Sequence, residues 1–414
     1  MRVRKRLLLT VLITLVALLG ALGIAAYSAV GTFAVAIPDS LKGTKPGSLI
    51  AVERIGKYPG FVAQYLLNLA HLPDPIAVTD GIALYRVQYR TTDYDGSVIV
   101  ASGLVALPRR SALNSVVVYH HGTNVERRTA PSQSGFGEGL LIAAATAGSG
   151  HVFVAPDYIG LGESRTTHPY MHTKTTTTTS IDLLQAARTL VEHLRGKCPT
   201  SLYLMGFSQG GHATFAVERE LEKLHEPQFE VKASAPIAGP FHLREVSFPQ
   251  ALTGKTKYHA LYVAYMANSY SRIYARPLKS LLTAPYVETV PVLFDGDHTA
   301  EAILAALPAD PRTLFNPEFL DAYDQGKPHW FLDALAENNV DAWTPVAPVR
   351  IFFGDEDQDV LPEEARRAES AMKRRGANVT AISVGDCDHV ASALRAIPQA
   401  IRWFTELANK NPAG

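Results

Sequence analysis

The residues of this chain best suited to chemistry are Gly206-Phe207-Ser208-Gln209-Gly210. A short apolar run, Ser201 to Met205, precedes them and reads as a buried strand. Gly211 to Glu218 follows and reads as the start of a helix. Strand, G-x-S-x-G and helix together predict a sharp turn with the serine hydroxyl at its tip. Glycine at both ends suits a turn whose flanking residues touch neighbouring backbone, where only a hydrogen fits. The serine would sit at a helix N-terminus, which favours developing negative charge. That is the setting of a nucleophile attacking a carbonyl.

A serine hydroxyl is a poor nucleophile until a base takes its proton, and the base needs an acid to hold its tautomer. On such a turn the chain order is Ser, then Asp or Glu, then His, with the last two in loops after strands. Two loops fit. Gly354 to Pro362 follows the apolar run Val349–Phe353, and Gly385 to Val390 follows Val379–Val384. Of the fourteen histidines, His389 stands after the last predicted strand and before the last predicted helix. It is the predicted base. The acid falls among Asp355, Asp357 and Asp359. The spacing Gly, two residues, Asp, two residues, Val selects Asp357, with Asp359 as the alternative.

The tetrahedral oxyanion needs two backbone N–H donors. One is expected from Gln209, the residue after the serine, and the other from the loop after an early strand. Tyr119-His120-His121-Gly122-Thr123 ends such a strand, and the Thr123 N–H is the predicted second donor. One such donor is worth roughly 3 kcal/mol in the transition state. His120 and His121 are read as shaping that loop.

These residues need a scaffold. Ile82–Arg90 and Ser97–Ala106 flank a D-x-D-G turn and predict an antiparallel hairpin. From Ser115 onward short continuous apolar runs alternate with amphipathic helices. The runs are 115–119, 152–155, 202–205, 231–237, 349–353 and 379–384. Continuous runs suit strands buried on both faces, so the sheet core should be parallel with helices on each side. Expected helices are 139–146, 180–194, 211–224, 362–375 and 391–407. The threonine run Thr173 to Thr179 reads as extended chain and helix-capping residues. Gly160-x-Gly162 lacks the rest of a phosphate-binding pattern and reads as a packed loop.

Between Pro240 and Pro348 the alternation breaks, leaving helical signals and many aromatics. An insertion of this size at one sheet end reads as a cap over the site. Its aromatics either line an apolar substrate pocket or form the cap's own core.

Arg2, Arg4, Lys5 and Arg6 precede an uncharged stretch from Leu7 to Ile37. This predicts a membrane-targeting segment with its basic side cytoplasmic. Leu7 to Ala26 is long enough to span, which favours an uncleaved anchor over a cleaved signal. Either places the catalytic part on the outer side of the membrane, anchored or secreted. The domain reading is therefore 1–37 anchor or signal, 38–46 linker, 47–239 and 349–414 core, and 240–348 cap.

Composition narrows the classes. The 39 basic residues balance 39 acidic ones, so nothing suggests a nucleic-acid partner. No HExxH or paired CxxC announces a metal site. Cys198 and Cys387 should lie at opposite ends of the sheet and not pair.

Several stretches resemble the secretory lipase family of α/β-hydrolases. They are PGSLI (46–50), YRVQYRTTDYDGSVIVASGLVALP (85–108), HHGT (120–123), APDYIGLGES (155–164), HPYMH (168–172) and GFSQGGHAT (206–214). The resemblance runs from about Pro46 to the C-terminus and covers the cap least. It implies an α/β-hydrolase fold: a mostly parallel central sheet flanked by helices, with a helical cap inserted before the strand carrying the acid. It also implies a Ser-Asp-His ester hydrolase without a cofactor, acting on an ester or lipid. The long membrane-type N-terminus and few cysteines depart from a freely secreted lipase. A peptidase or amidase on the same residues is the rival enzyme. A catalytically silent binding protein is a third reading, opposed by the presence of Ser, Asp and His in order. A halide-displacing enzyme would need a carboxylate where Ser208 stands.

Overall fold

A computed structural model describes residues 32–410 of the chain, apart from residues 71 and 136. The N-terminal anchor or signal expected over 1–37 lies almost wholly outside these residues. Among the described residues no helix is long and apolar enough to cross a membrane.

The expected runs are strands, and two further strands precede them. In chain order they are β1 (Phe33–Ala34), β2 (Leu49–Tyr58), β3 (Ile82–Thr92), β4 (Val98–Pro108), β5 (Val116–His120), β6 (Val152–Pro156), β7 (Ser201–Phe207), β8 (Glu230–Ile237), β9 (Val349–Phe353) and β10 (Val379–Ser383). They form one sheet in the order β1-β2-β3-β4-β6-β5-β7-β8-β9-β10. From β6 to β10 all neighbours are parallel. From β1 to β6 they are antiparallel. The mixed sheet follows from the sequence: a tight turn can join only antiparallel neighbours, whereas the later strands are joined by helices.

Side chains alternate along the strands between two cores. Val117 and Tyr119 of β5 face one, with α1 (Gly60–Leu69), α2 (Glu138–Ala147) and the C-terminal helix. Val116 and Val118 face the other, with α3 (Thr173–Arg195) and the end of α4 (Gln209–Leu224). The central strands β5, β6 and β7 are buried on both sides, as their continuous apolar character requires.

The structure adds to the sequence-based expectations and corrects one of them. β2 and α1 had no counterpart in the sequence reading. The β2 register shifts at Leu49/Ala51 and again at Arg54/Gly56, so its alternation is broken twice. The segment 38–46, expected as a linker, holds one short helical turn at Asp39–Leu41, and Lys42 bridges Leu49. The threonine run is helical, not extended, because α3 starts at Thr173. Thr175, Thr176 and Thr179 are buried, so tertiary packing overrides their weak helix propensity. Thr177 Oγ1 donates to the Thr173 carbonyl at 2.7 Å and Ser180 Oγ to that of Thr176 at 2.8 Å, which satisfies hydroxyls that would otherwise compete with the helix.

Between β8 and β9 the chain forms α5 (Phe248–Ala251), α6 (His259–Ile273), α7 (Tyr286–Leu293), α8 (Ala300–Ala306), α9 (Pro317–Asp324) and α10 (Trp330–Glu337). Most of its aromatics build its own core. Tyr265 stacks on Phe294 at 4.4 Å, and Phe248 meets Phe315 and Phe331 edge-on. After β9 come α11 (Pro362–Arg374) and α12 (His389–Lys410), the latter starting two residues earlier than expected. Cys198 and Cys387 are both buried and free.

One buried cluster ties the two ends of this insertion to the sheet layer. His242 at its start contacts Glu364 of α11 through Nδ1 at 2.7 Å and Asp341 at its end through Nε2 at 3.1 Å. Burial pulls the imidazole pKa down, but hydrogen bonds to Asp341 and Glu364 outweigh it and raise the pKa to about 9. A raised pKa stabilises the fold fully below the ordinary value of 6.5, and that stability is lost as pH rises through 9. The stability measured by urea unfolding is expected to fall by on the order of 3 kcal/mol between these limits through this group. His242→Gln should remove that component; an unchanged pH profile in the variant would contradict it.

Candidate active site

Ser208 lies between β7 and α4 with φ of 58° and ψ of −119°, a conformation that side chains rarely adopt. Such strain persists only where surrounding structure fixes it. Here the Ser208 N–H donates to the Ile237 carbonyl of β8 at 2.9 Å, and its own carbonyl accepts from Gly211 N at 2.8 Å. A Cβ on Gly206 would collide with the Gly210 carbonyl, and one on Gly210 with the His120 carbonyl. The pentapeptide's glycines are therefore demanded by contact, as expected.

The three chemically paired residues come together. Ser208 Oγ lies 2.9 Å from His389 Nε2, and His389 Nδ1 lies 2.7 Å from Asp357 Oδ2. All three are buried. Asp357 is fully buried, and its Oδ1 accepts the N–H groups of Asp359 and Val360, each at 2.9 Å. Those bonds aim Oδ2 at the imidazole. Asp359 faces elsewhere: it accepts the Thr256 hydroxyl and lines the pocket in front of Ser208. Asp355 pairs with Arg366 at 3.1 Å. Asp388 caps α12 by accepting the Ala391 N–H at 2.9 Å, so it does not compete for His389. The Phe207 ring packs on the imidazole with centroids 4.6 Å apart.

The loop after β5 runs beside the serine. Thr123 and Ser208 line the same cavity of about 380 Å³. The Thr123 hydroxyl shares a hydrogen bond with Tyr170 at 2.8 Å. The Gln209 side chain meets His168 Nε2 at 2.9 Å, while His168 Nδ1 lies 2.7 Å from the Ile159 carbonyl. The carbonyl can only accept, so Nδ1 carries the proton and Nε2 accepts from the Gln209 amide. Both residues expected to supply oxyanion donors are thus anchored by one short segment, His168 to Tyr170. Sequence reasoning assigned that segment no role. Its signal was present as a run of polar aromatic residues between a Gly-rich loop and a helix.

Burial keeps the neighbouring histidines neutral. It lowers His120 and His168 to about 3, and His121 in the same direction. His121 Nδ1 bonds the Gly122 carbonyl at 2.7 Å, and His120 Nδ1 meets Thr214 at 3.2 Å. These are loop-shaping contacts.

The cavity's far wall is Tyr258, Leu261 and Tyr262 of the insertion, with Ala300. Of the cap aromatics, only these two tyrosines line it; the others named above face their own core. Among the described residues no cluster of three or more His, Cys, Asp or Glu could hold a metal ion. A hydroxyl, an imidazole and a carboxylate in one hydrogen-bonded line can move a proton from hydroxyl to ring while the carboxylate offsets the ring's positive charge.

Comparison with known proteins agrees with the fold. The alpha/beta hydrolase family model matches residues 117–398. No curated protein matches the chain. Among solved structures, a presumptive hydrolase of Legionella pneumophila is 28% identical, with a TM-score of 0.82 over 88% of this chain and 100% of its own. The rice cell wall degrading esterase LipA from Xanthomonas oryzae, in a ligand-bound form, is 24% identical with a TM-score of 0.76, covering 89% and 98%. Candida antarctica lipase A in its closed state is 14% identical with a TM-score of 0.65, covering 91% and 85%. The last two are similar in fold alone.

Proposed function

Because the chain belongs to the alpha/beta hydrolase family, we propose that it is a serine hydrolase that cleaves carboxylic esters. The observation carrying this reading is the continuous line Ser208–His389–Asp357 at 2.9 and 2.7 Å. Ser208 Oγ attacks the ester carbonyl as His389 Nε2 takes its proton. Asp357 holds Nδ1–H and stabilises the imidazolium. The Thr123 and Gln209 N–H groups stabilise the oxyanion. His389 then protonates the leaving alkoxide, and the alcohol departs. Water, deprotonated by His389, attacks the acyl-enzyme, releasing the acid and restoring Ser208.

The rival amide or peptide substrate has less support. The carboxylates lining the pocket are already engaged: Glu126 by Arg128 at 2.6 Å, Glu138 by Tyr119, and Asp359 by Thr256. Among the described residues no lysine or arginine lines it to hold a peptide carboxylate. A silent binding protein would have no use for the full proton-transfer line. The basic then apolar N-terminus supports an extracytoplasmic location, either anchored or released after cleavage.

The test compares p-nitrophenyl esters with the matching p-nitroanilides and aminoacyl anilides. Ester turnover at least about a hundredfold above amide turnover is expected, since no described residue of the pocket offers a cation to a peptide carboxylate. Amide turnover exceeding ester turnover would overturn the proposal.

A further inference from the structure

A second cavity adjoins the catalytic one and has a different character. It holds about 300 Å³ and lies between α1, α2 and α12. Leu67 lines it from α1 and Ala70 from just past that helix, Ile142 and Ala145 from α2, and Val390 and Leu394 from α12. Its wall is apolar almost throughout. It shares Phe207, Val390 and Glu138 with the catalytic cavity. Phe207 directly precedes Ser208, and Val390 directly follows His389. The neighbours of nucleophile and base thus line both spaces, where the two meet. The carboxylate there, Glu138, is tied to the Tyr119 hydroxyl.

The rim of this groove exposes apolar side chains. Val390 is 63% exposed and Leu394 42%. Apolar surface held in water beside an apolar groove marks a place that an apolar ligand covers. The opposite side of the catalytic cavity is more polar, with Tyr258, Tyr262 and Asp359.

Resting on the ester-hydrolase reading, we propose that this groove takes the acyl chain of the substrate, a chain well beyond acetyl in length, while the alcohol lies toward Tyr258 and Tyr262. The substrate class is then esters of medium or long fatty acids, selected by the core helices and not by the aromatics of the cap. The driving force is removal of chain methylenes and of the Val390 and Leu394 side chains from water.

The test measures kcat/KM on p-nitrophenyl octanoate and acetate, and on octyl and methyl acetate, in the full-length protein. Wild type should prefer octanoate over acetate by about tenfold or more. Leu394→Asp puts a charge on the groove wall and Ala70→Phe fills it from the α1 side. Each should cut the octanoate-to-acetate ratio by about tenfold or more, with circular dichroism like wild type. Val346→Asp, 85% exposed and outside both cavities, should leave the ratio unchanged. A ratio that neither folded groove variant moves, with turnover still dependent on Ser208, would overturn the acyl assignment alone and leave the groove to another apolar occupant. Sensitivity confined to the octyl and methyl acetates would overturn it in favour of the alcohol. Absence of Ser208-dependent turnover on every ester would defeat the hydrolase reading itself and the acyl assignment with it.

Discussion

Ser208→Ala is expected to lower kcat on any ester substrate by about 10⁶-fold. The change deletes one atom, the Oγ that lies 2.9 Å from His389 Nε2. Without it His389 has nothing to deprotonate, and no acyl-enzyme can form. Alanine meets the same positive φ as serine, so the turn bears no new strain. The loop donors remain in place, which leaves a small residual rate over water from oxyanion stabilisation and binding. Initial rates with wild type and variant, at matched circular dichroism, check this. A variant within tenfold of wild type would mean that Ser208 is not the attacking group.

The second large effect separates two carboxylates two residues apart. Asp357→Asn should lower kcat by about 10⁴-fold, whereas Asp359→Asn should stay within about tenfold. The cause is tautomer control. Asp357 Oδ1 accepts two backbone N–H groups, so an asparagine must keep its carbonyl oxygen there. Its NH₂ then points at His389 Nδ1, which must become the acceptor. The ring proton moves to Nε2, the nitrogen that has to take the proton from Ser208. Asp359 reaches Thr256 and the pocket, not the imidazole. Steady-state kinetics of the two variants decide between them, and a greater loss in Asp359→Asn would reverse the assignment.

Much of this site was readable because sheet burial leaves a mark in sequence. Strands covered on both faces are apolar almost throughout, so β5, β6 and β7 stand out as continuous runs. The loops after β7, β9 and β10 then locate Ser208, Asp357 and His389. The spacing after Gly354 singles out Asp357 because the loop must turn its N–H groups back onto that carboxylate. β2 was hidden by two register shifts that break its alternation. The threonine run misled because packing against the sheet overrides local propensity there. His168 and Tyr170 were missed for another reason. Their effect passes through Gln209 and Thr123, and such contacts depend on three-dimensional proximity between segments distant in sequence. The apolar groove was out of reach on the same ground. It forms where α1, α2 and α12 meet, and none of the three signals a binding site alone. The aromatics of the insertion drew attention as pocket residues, yet most of them bury one another.

The central claim is that Ser208 becomes covalently acylated. A pre-steady-state measurement tests it most directly. Mixing the protein with p-nitrophenyl octanoate should release a burst of p-nitrophenol approaching one equivalent per chain, provided that deacylation is the slower step. Rapid acid quench should then give a chain heavier by one octanoyl group, carried on the peptide containing Ser208 and absent from Ser208→Ala. An octanoyl group on any other residue, or a burst of p-nitrophenol with no acylated chain in the quenched sample, would contradict the account.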